Sequence, residues 1–160
     1  MQKRSSSTTV QRAPRRYVVR KSGIHGKGVF AATEIPKGTR IVEYKGKRLT
    51  LEEADTQYGP NDPSAIILLF STDDSTVIDA AVGGNSARFI NHSCSPNCEA
   101  VEENSRIFIE ALRRIKPGEE LSYDYHLELD AKERRKSKQL YPCHCGSRNC
   151  RGTLAAPPAK

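Results

Sequence analysis

Arg88-Phe89-Ile90-Asn91-His92-Ser93-Cys94-Ser95-Pro96-Asn97-Cys98 sets two amides, an imidazole, a guanidinium and two thiols around the apolar pair Phe89-Ile90. Core segments rarely carry so much polar chemistry in so few residues. Asn91 and His92 offer donors and acceptors to a polar ligand. Cys94 is one thiol of a candidate metal site whose partners, Cys143, Cys145 and Cys150, lie far downstream. A ligand site and a metal site would then share one loop. Taken alone, the segment reads equally as a capped turn with cysteines packed as small apolar residues.

The surrounding chain narrows the choice. A length of 160 residues suits one domain with a modest core. No apolar run is long enough to span a bilayer, and none follows the basic start as a signal peptide would, so the expectation is a soluble intracellular protein without membrane contact. In that setting five cysteines read as thiols or metal ligands, and four ligands with Cys98 spare is simpler than two bridges with one thiol left over. The net charge of +7 is uneven. Residues 1–33 hold eight Lys/Arg and no Asp/Glu, which leaves 18 basic against 19 acidic residues in the rest. Residues 1–16 therefore read as a flexible basic arm, a solvated tail that could touch nucleic acid weakly or an acidic partner. Lys132-Glu133-Arg134-Arg135-Lys136-Ser137-Lys138 reads as a solvated helix or linker.

Short strands are predicted at Tyr17–Val19, Val29–Ala31, Arg40–Tyr44, Ile66–Phe70, Val77–Asp79, Ile107–Ile109 and Leu121–Tyr125. Ile35-Pro36-Lys37-Gly38 and Lys116-Pro117-Gly118-Glu119 read as turns, and Asp73-Asp74-Ser75 as a hairpin loop. One helix start is clear, the capping-box pattern Thr50-Leu51-Glu52-Glu53. The sum is mainly β with few short helices, which excludes a doubly wound nucleotide-binding sheet.

Ser22-Gly23-Ile24-His25-Gly26-Lys27-Gly28-Val29-Phe30 places three glycines directly before a strand, where backbone can approach a ligand closely. It is neither a P-loop nor a dinucleotide fingerprint, since no helix follows. By itself it reads as a turn. Its place in an order gives it meaning: glycine loop, Ile41-Val42-Glu43-Tyr44-Lys45-Gly46, Val77-Ile78-Asp79-Ala80, Asn91-His92-Ser93-Cys94, Gly118-Glu119-Glu120-Leu121-Ser122-Tyr123-Asp124-Tyr125, then a Cys-x-Cys-x4-Cys tail.

In that order the motifs resemble a SET-domain protein lysine methyltransferase with a post-SET zinc tail, from about Tyr17 to Leu154. The resemblance implies a SET domain over residues 17–127, a basic linker over 128–139, a zinc-binding tail over 140–154 and a disordered end over 155–160. It implies several small sheets and a pseudoknot that threads the Asn91–Cys94 segment with the C-terminal strand. It also implies S-adenosylmethionine held by the backbone of His25, Gly26, Lys27 and Gly28 and by Asn91 and His92, with His144 as a further contact through its backbone. Tyr125 would be the catalytic tyrosine, and Tyr123 would occupy a phenylalanine-or-tyrosine switch position that limits methyl additions. Alternation along a strand puts both on one face, where paired tyrosines otherwise serve as core filler. Cys94, Cys143, Cys145 and Cys150 would bind zinc.

The substrate so implied is a protein presenting a lysine, such as a histone or histone-like protein. The setting would be nuclear or chromosome-associated in a eukaryote, and cytoplasmic or delivered to a host in a bacterium. The chain departs from the family at Leu68, two residues before Phe70, where many members carry a channel-lining tyrosine. The number of methyl groups transferred stays open on that account. Two other classes compete: a SET-type binding module with weakened catalysis, and a zinc-dependent nucleic-acid binder using the basic arm.

Overall fold

The computed structural model describes residues 15–59 and 62–159; residues 1–14, nearly all of the expected basic arm, lie outside it. β1 (Tyr17–Lys21) and β2 (Lys27–Ala31) pair antiparallel with Lys21 opposite Lys27, so the glycine-rich residues form the loop between them. β3 (Arg40–Tyr44) and β4 (Lys47–Thr50) lead into α1 (Leu51–Tyr58) and the single turn α2 (Pro63–Ile66). After β5 (Leu69–Ser71), β6 (Thr76–Asp79) and a 3-10 turn at Ser86–Phe89 come β7 (Asn91–His92), β8 (Cys98–Glu103), β9 (Arg106–Ala111) and β10 (Ser122–Tyr123). Two short helices close the described chain, α3 (Ala131–Arg135) and α4 (Ser137–Leu140).

The strands make four small sheets: β1-β2, β3-β9-β8, β4-β6-β5, and the parallel pair β7-β10. They share a main core, beside which Leu49, Ala54 and Val77 form a second small cluster. Val29, Ile35, Ile78, Ile90, Ile107, Ile109, Ile115 and Leu121 are all essentially withdrawn from water, and burying each such side chain is worth about 1.5–3 kcal/mol. No helix among the described residues is long and apolar enough to cross a membrane. The architecture is mainly β with several small sheets and few short helices, as expected.

Two features aim the C-terminal strand. Pro117 and Gly118 form a type II turn in which Glu119 N–H donates to Lys116 O at 3.2 Å and Gly118 has φ +87°, a conformation that favours glycine. The chain then returns along β2, with Ala31 N–H on Glu119 O at 2.8 Å and Leu121 N–H on Val29 O at 2.7 Å. Beyond this, Ser122 and Tyr123 pair with Asn91 and His92. Asn97 pins the crossing, its Nδ2 donating to Glu120 O at 2.8 Å and its Oδ1 accepting Ser122 N–H at 2.9 Å.

The capping box at Thr50 forms as predicted, with Glu53 N–H on Thr50 Oγ1 and Thr50 N–H on Glu53 Oε2. Other expectations need correction. The predicted strand Ile66–Phe70 is helical through Ile66, because Asp62 caps a turn that Pro63 opens, and pairing begins only at Leu69. The strand predicted over Leu121–Tyr125 pairs only at Ser122–Tyr123. β4 and β8 were not predicted. Of the two readings of Lys132–Lys138, helix or linker, the structure takes the helix, with α3 and most of α4 within residues 128–139. Order also runs past residue 154: Ala155 and Ala156 are buried, and Ala156 N–H donates to Leu127 O.

Candidate functional site

The Asn91 side chain is the hinge of the first half of the site. Its Nδ2 lies 3.2 Å from His25 O, 3.0 Å from Lys27 O and 2.8 Å from Glu120 Oε1, three acceptors around one amide. Glu120 in turn receives the Ser22 hydroxyl at 2.7 Å. A Cβ at residue 28 would collide with the Glu120 carboxylate, so only glycine admits this packing. Gly26 has φ +47°, and the space beside it is open. The glycine loop thus presents exposed backbone next to an asparagine and a carboxylate. That donor set fits a small zwitterion carrying both an ammonium and a carboxylate group. His144 is exposed between Cys143 and Cys145 and makes no side-chain hydrogen bond among the described residues.

β10 carries the second half. The rings of Tyr123 and Tyr125 lie 4.9 Å apart, and the Tyr125 hydroxyl donates to Ile90 O at 2.5 Å. Burial raises both phenols above their ordinary pKa, so both are neutral hydroxyls at physiological pH. They line a groove of about 790 Å³ between the Ile66–Asp73 segment and residues 123–128. Its walls carry the carboxylates of Asp55, Asp73, Glu99, Asp124 and Glu128 and, among the described residues, no Lys or Arg. Tyr44 reaches the same region from β3, its hydroxyl donating to Leu68 O at 2.9 Å. The backbone of the divergent position 68 is therefore anchored.

His92 joins this strand to the thiols. Its Nδ1 accepts Tyr125 N–H at 3.0 Å, and its Nε2 lies 3.4 Å from Cys94 Sγ. Burial lowers the imidazole to about 4 despite the nearby Asp124 carboxylate, so the ring is neutral, with its proton on Nε2 facing the sulfur.

Cys94, Cys143, Cys145 and Cys150 place their sulfurs within 4.8 Å of one another, and Cys94 and Cys143 are 3.8 Å apart. A tetrahedral thiolate site with metal–sulfur bonds of about 2.3 Å has edges of about 3.8 Å. The donor set therefore fits zinc. Burial pushes the Cys143 thiol well up. For Cys145, burial is outweighed by the Ser147 hydroxyl at 3.1 Å and by backbone amides, which bring it down to about 5 and ready one ligand as thiolate. Cys98 stands apart, fully buried at the start of β8 with its thiol pushed up to about 12 by burial.

The sequence reading did not single out Glu120, Asn97, Asp124 or Arg151. Three of them sit inside quoted motifs, Asn97 in the Arg88–Cys98 stretch, Glu120 in Gly-Glu-Glu-Leu and Asp124 between the tyrosines. Arg151 directly follows a candidate ligand. Adjacency to motif residues was the signal available.

The SET domain family model matches residues 26–126. The chain is 44% identical over 140 residues to a histone-lysine N-methyltransferase, H3 lysine-4 specific, of Chaetomium globosum, covering 84% of this chain and 13% of that one. It is 41% identical over 141 residues to histone-lysine N-methyltransferase 2B of Homo sapiens, covering 85% and 5%. It is also 39% identical over 139 residues to histone-lysine N-methyltransferase trithorax of Drosophila virilis, covering 84% and 3%. The chain thus spans only a small part of the length of these curated relatives.

Proposed function

The chain belongs to the SET-domain family, and from that premise we propose that it transfers methyl groups from S-adenosylmethionine to the side-chain amine of a lysine in histone H3. One observation carries the reading: the acidic groove lined by Tyr123, on the strand that pairs with Asn91 and His92, and by Tyr125 just beyond it. Lysine 4 of H3 is the first residue to test, because the relatives named above include one specific for it. Asp55, Asp73, Glu99 and Glu128, none of them ion-paired among the described residues, suit a basic, extended tail, while Asp124 is already held by Arg151. A histone substrate sets the activity in the nucleus, on chromatin.

When bound, the cofactor supplies an electrophilic sulfonium methyl. The chain must then hold the cofactor, hold the lysine and remove the lysine's charge. The backbone of His25, Gly26, Lys27 and Gly28 and the Asn91–His92 segment would hold the cofactor, with the backbone of His144 as a further contact. Asn91 also keeps the loop in shape, since its amide grips two loop carbonyls. A lysine amine, with a solution pKa of about 10.4, must lose its proton before it can attack. In a groove lined by two neutral phenols, desolvation disfavours the ammonium and the hydroxyls orient the free amine. No side chain forms a covalent intermediate. Tyr125 is the catalytic residue on this reading, and Tyr123 governs how many transfers follow. Cys94, Cys143, Cys145 and Cys150 would hold zinc, which fastens the tail beside the groove.

The test is transfer from labelled cofactor to an H3 tail peptide, alongside the same peptide with lysine 4 replaced by arginine. Label in the first and none in the second supports the reading. Cofactor binding with no transfer to any histone lysine would refute it.

A further inference from the structure

We propose that Asp124 and Arg151 form a latch through which the cysteine-rich tail fixes the catalytic strand, making both positioning residues for the transfer. The inference rests on the methyl transfer proposed above and assigns a role to two residues that reading leaves without one in holding cofactor or lysine.

Tyr125 lies beyond the paired residues of β10, so no sheet hydrogen bond holds its amide. That amide donates to His92 Nδ1 instead. Directly after it the chain turns through His126, whose φ is +52°. The turn is held by Asp124, whose Oδ1 accepts His126 N–H at 3.0 Å. The Tyr125 backbone is thus held by side chains rather than by the sheet, while its hydroxyl is anchored on Ile90 O.

Asp124 is gripped from the tail. Arg151 Nη1 and Nη2 donate to Asp124 Oδ2 and Oδ1, each at 2.9 Å, in a two-bonded fork. Their side chains are only 22% and 25% exposed, so this pair is sheltered from the screening that makes surface pairs weak. Arg151 is itself fixed: its Nε donates to Ala155 O at 3.3 Å and its backbone N–H points at Cys94 Sγ at 3.4 Å. It also follows Cys150 directly. His92 completes the circuit, with Nε2 on Cys94 Sγ and Nδ1 accepting Tyr125 N–H. The four-cysteine cluster and the Tyr125 backbone are therefore tied by two routes, one through Arg151 and Asp124 and one through His92. A displaced tyrosine costs rate without any contact to substrate being deleted.

The experiment uses the full zinc-loaded chain with Asp124→Asn, Arg151→Lys and the double variant. Asparagine keeps the acceptor for His126 N–H but loses the ion pair, and lysine keeps the charge but loses the fork. In each single variant we expect kcat to fall by about tenfold or more, with zinc content and cofactor Kd within about twofold of the parent. The double variant should be no slower than the worse single one, since both remove the same contact. Hydrogen exchange, read independently of activity, should quicken in Asp124→Asn at the Tyr125 amide and across residues 140–156. Unchanged exchange would overturn the latch. So would losses that multiply in the double variant, or a fall accounted for by lost zinc or cofactor affinity. A parent chain without transfer defeats the functional reading alone, and the exchange measurement still decides the latch.

Discussion

Tyr123 and Tyr125 stack 4.9 Å apart in the groove, yet only the Tyr125 hydroxyl has a hydrogen-bond partner among the described residues, the carbonyl of Ile90. One hydroxyl is fixed to the backbone that precedes Asn91, and the other reaches the groove without a protein partner. That difference separates the roles of two residues that look interchangeable in the sequence.

Tyr125→Phe removes the anchored hydroxyl and keeps the ring against His92. The variant should fold and bind the demethylated cofactor product as the parent does, while transfer falls by about 10²-fold or more. Calorimetry beside a methyl-transfer assay checks both halves. Retained activity would remove Tyr125 from the chemistry.

Tyr123→Phe should keep activity and move the products toward higher methylation, because a hydroxyl that restrains the amine and its water is gone. Mass spectrometry of a single target lysine reads this directly. An unchanged distribution would mean that Leu68 has already relaxed the channel, and Tyr123 would lose its switch role.

Asn91→Ala leaves two loop carbonyls and the Glu120 carboxylate without their donor. A lost buried partner of this kind costs about 1–3 kcal/mol, so cofactor affinity should fall by about 5- to 150-fold. Titration calorimetry measures it, and unaltered affinity would place the cofactor elsewhere.

Zinc analysis separates the thiols. Cys143→Ser should abolish the one zinc per chain and expose residues 140–156 to proteolysis, since that segment has little core of its own. Cys98→Ala should keep the zinc, because Cys98 lies apart from the cluster. Equal metal content in both variants would refute the four-cysteine assignment.

The pH profile carries a sign. Burial raises the Tyr123 and Tyr125 phenols, and a raised pKa means that the proton is kept to higher pH, so no tyrosinate forms in the working range. Free lysine, with a pKa of about 10.4, is then the group that titrates, and log kcat/KM should climb with unit slope from about pH 7 to 9.5. A falling limb in that interval would contradict the neutral-phenol site.

Much of this site was legible because its residues lie in dense local motifs. The glycine loop, Asn91–Cys94, the two tyrosines and the tail cysteines each announce chemistry over a few positions. Turn chemistry was legible at Pro117-Gly118 and at the Thr50 cap for the same reason. β8 was not: Cys98-Glu99-Ala100-Val101-Glu102-Glu103 has little strand propensity and is held by pairing to β9. Its hairpin turns through Asn104 and Ser105, both at positive φ, where serine conceals a turn that glycine would have signalled. Asp124 and Arg151 were hidden by distance. Their meaning comes from a fork closed across 27 positions, which no local pattern encodes.

The most direct test of the central claim is mass spectrometry, resolved by residue, of an H3 tail peptide incubated with S-adenosylmethionine and the zinc-loaded chain, run in parallel with Tyr125→Phe. The predicted result is added methyl mass on lysine 4 with the parent chain and almost none with the variant. Unmodified peptide with the parent chain, or equal methylation by both proteins, would contradict it.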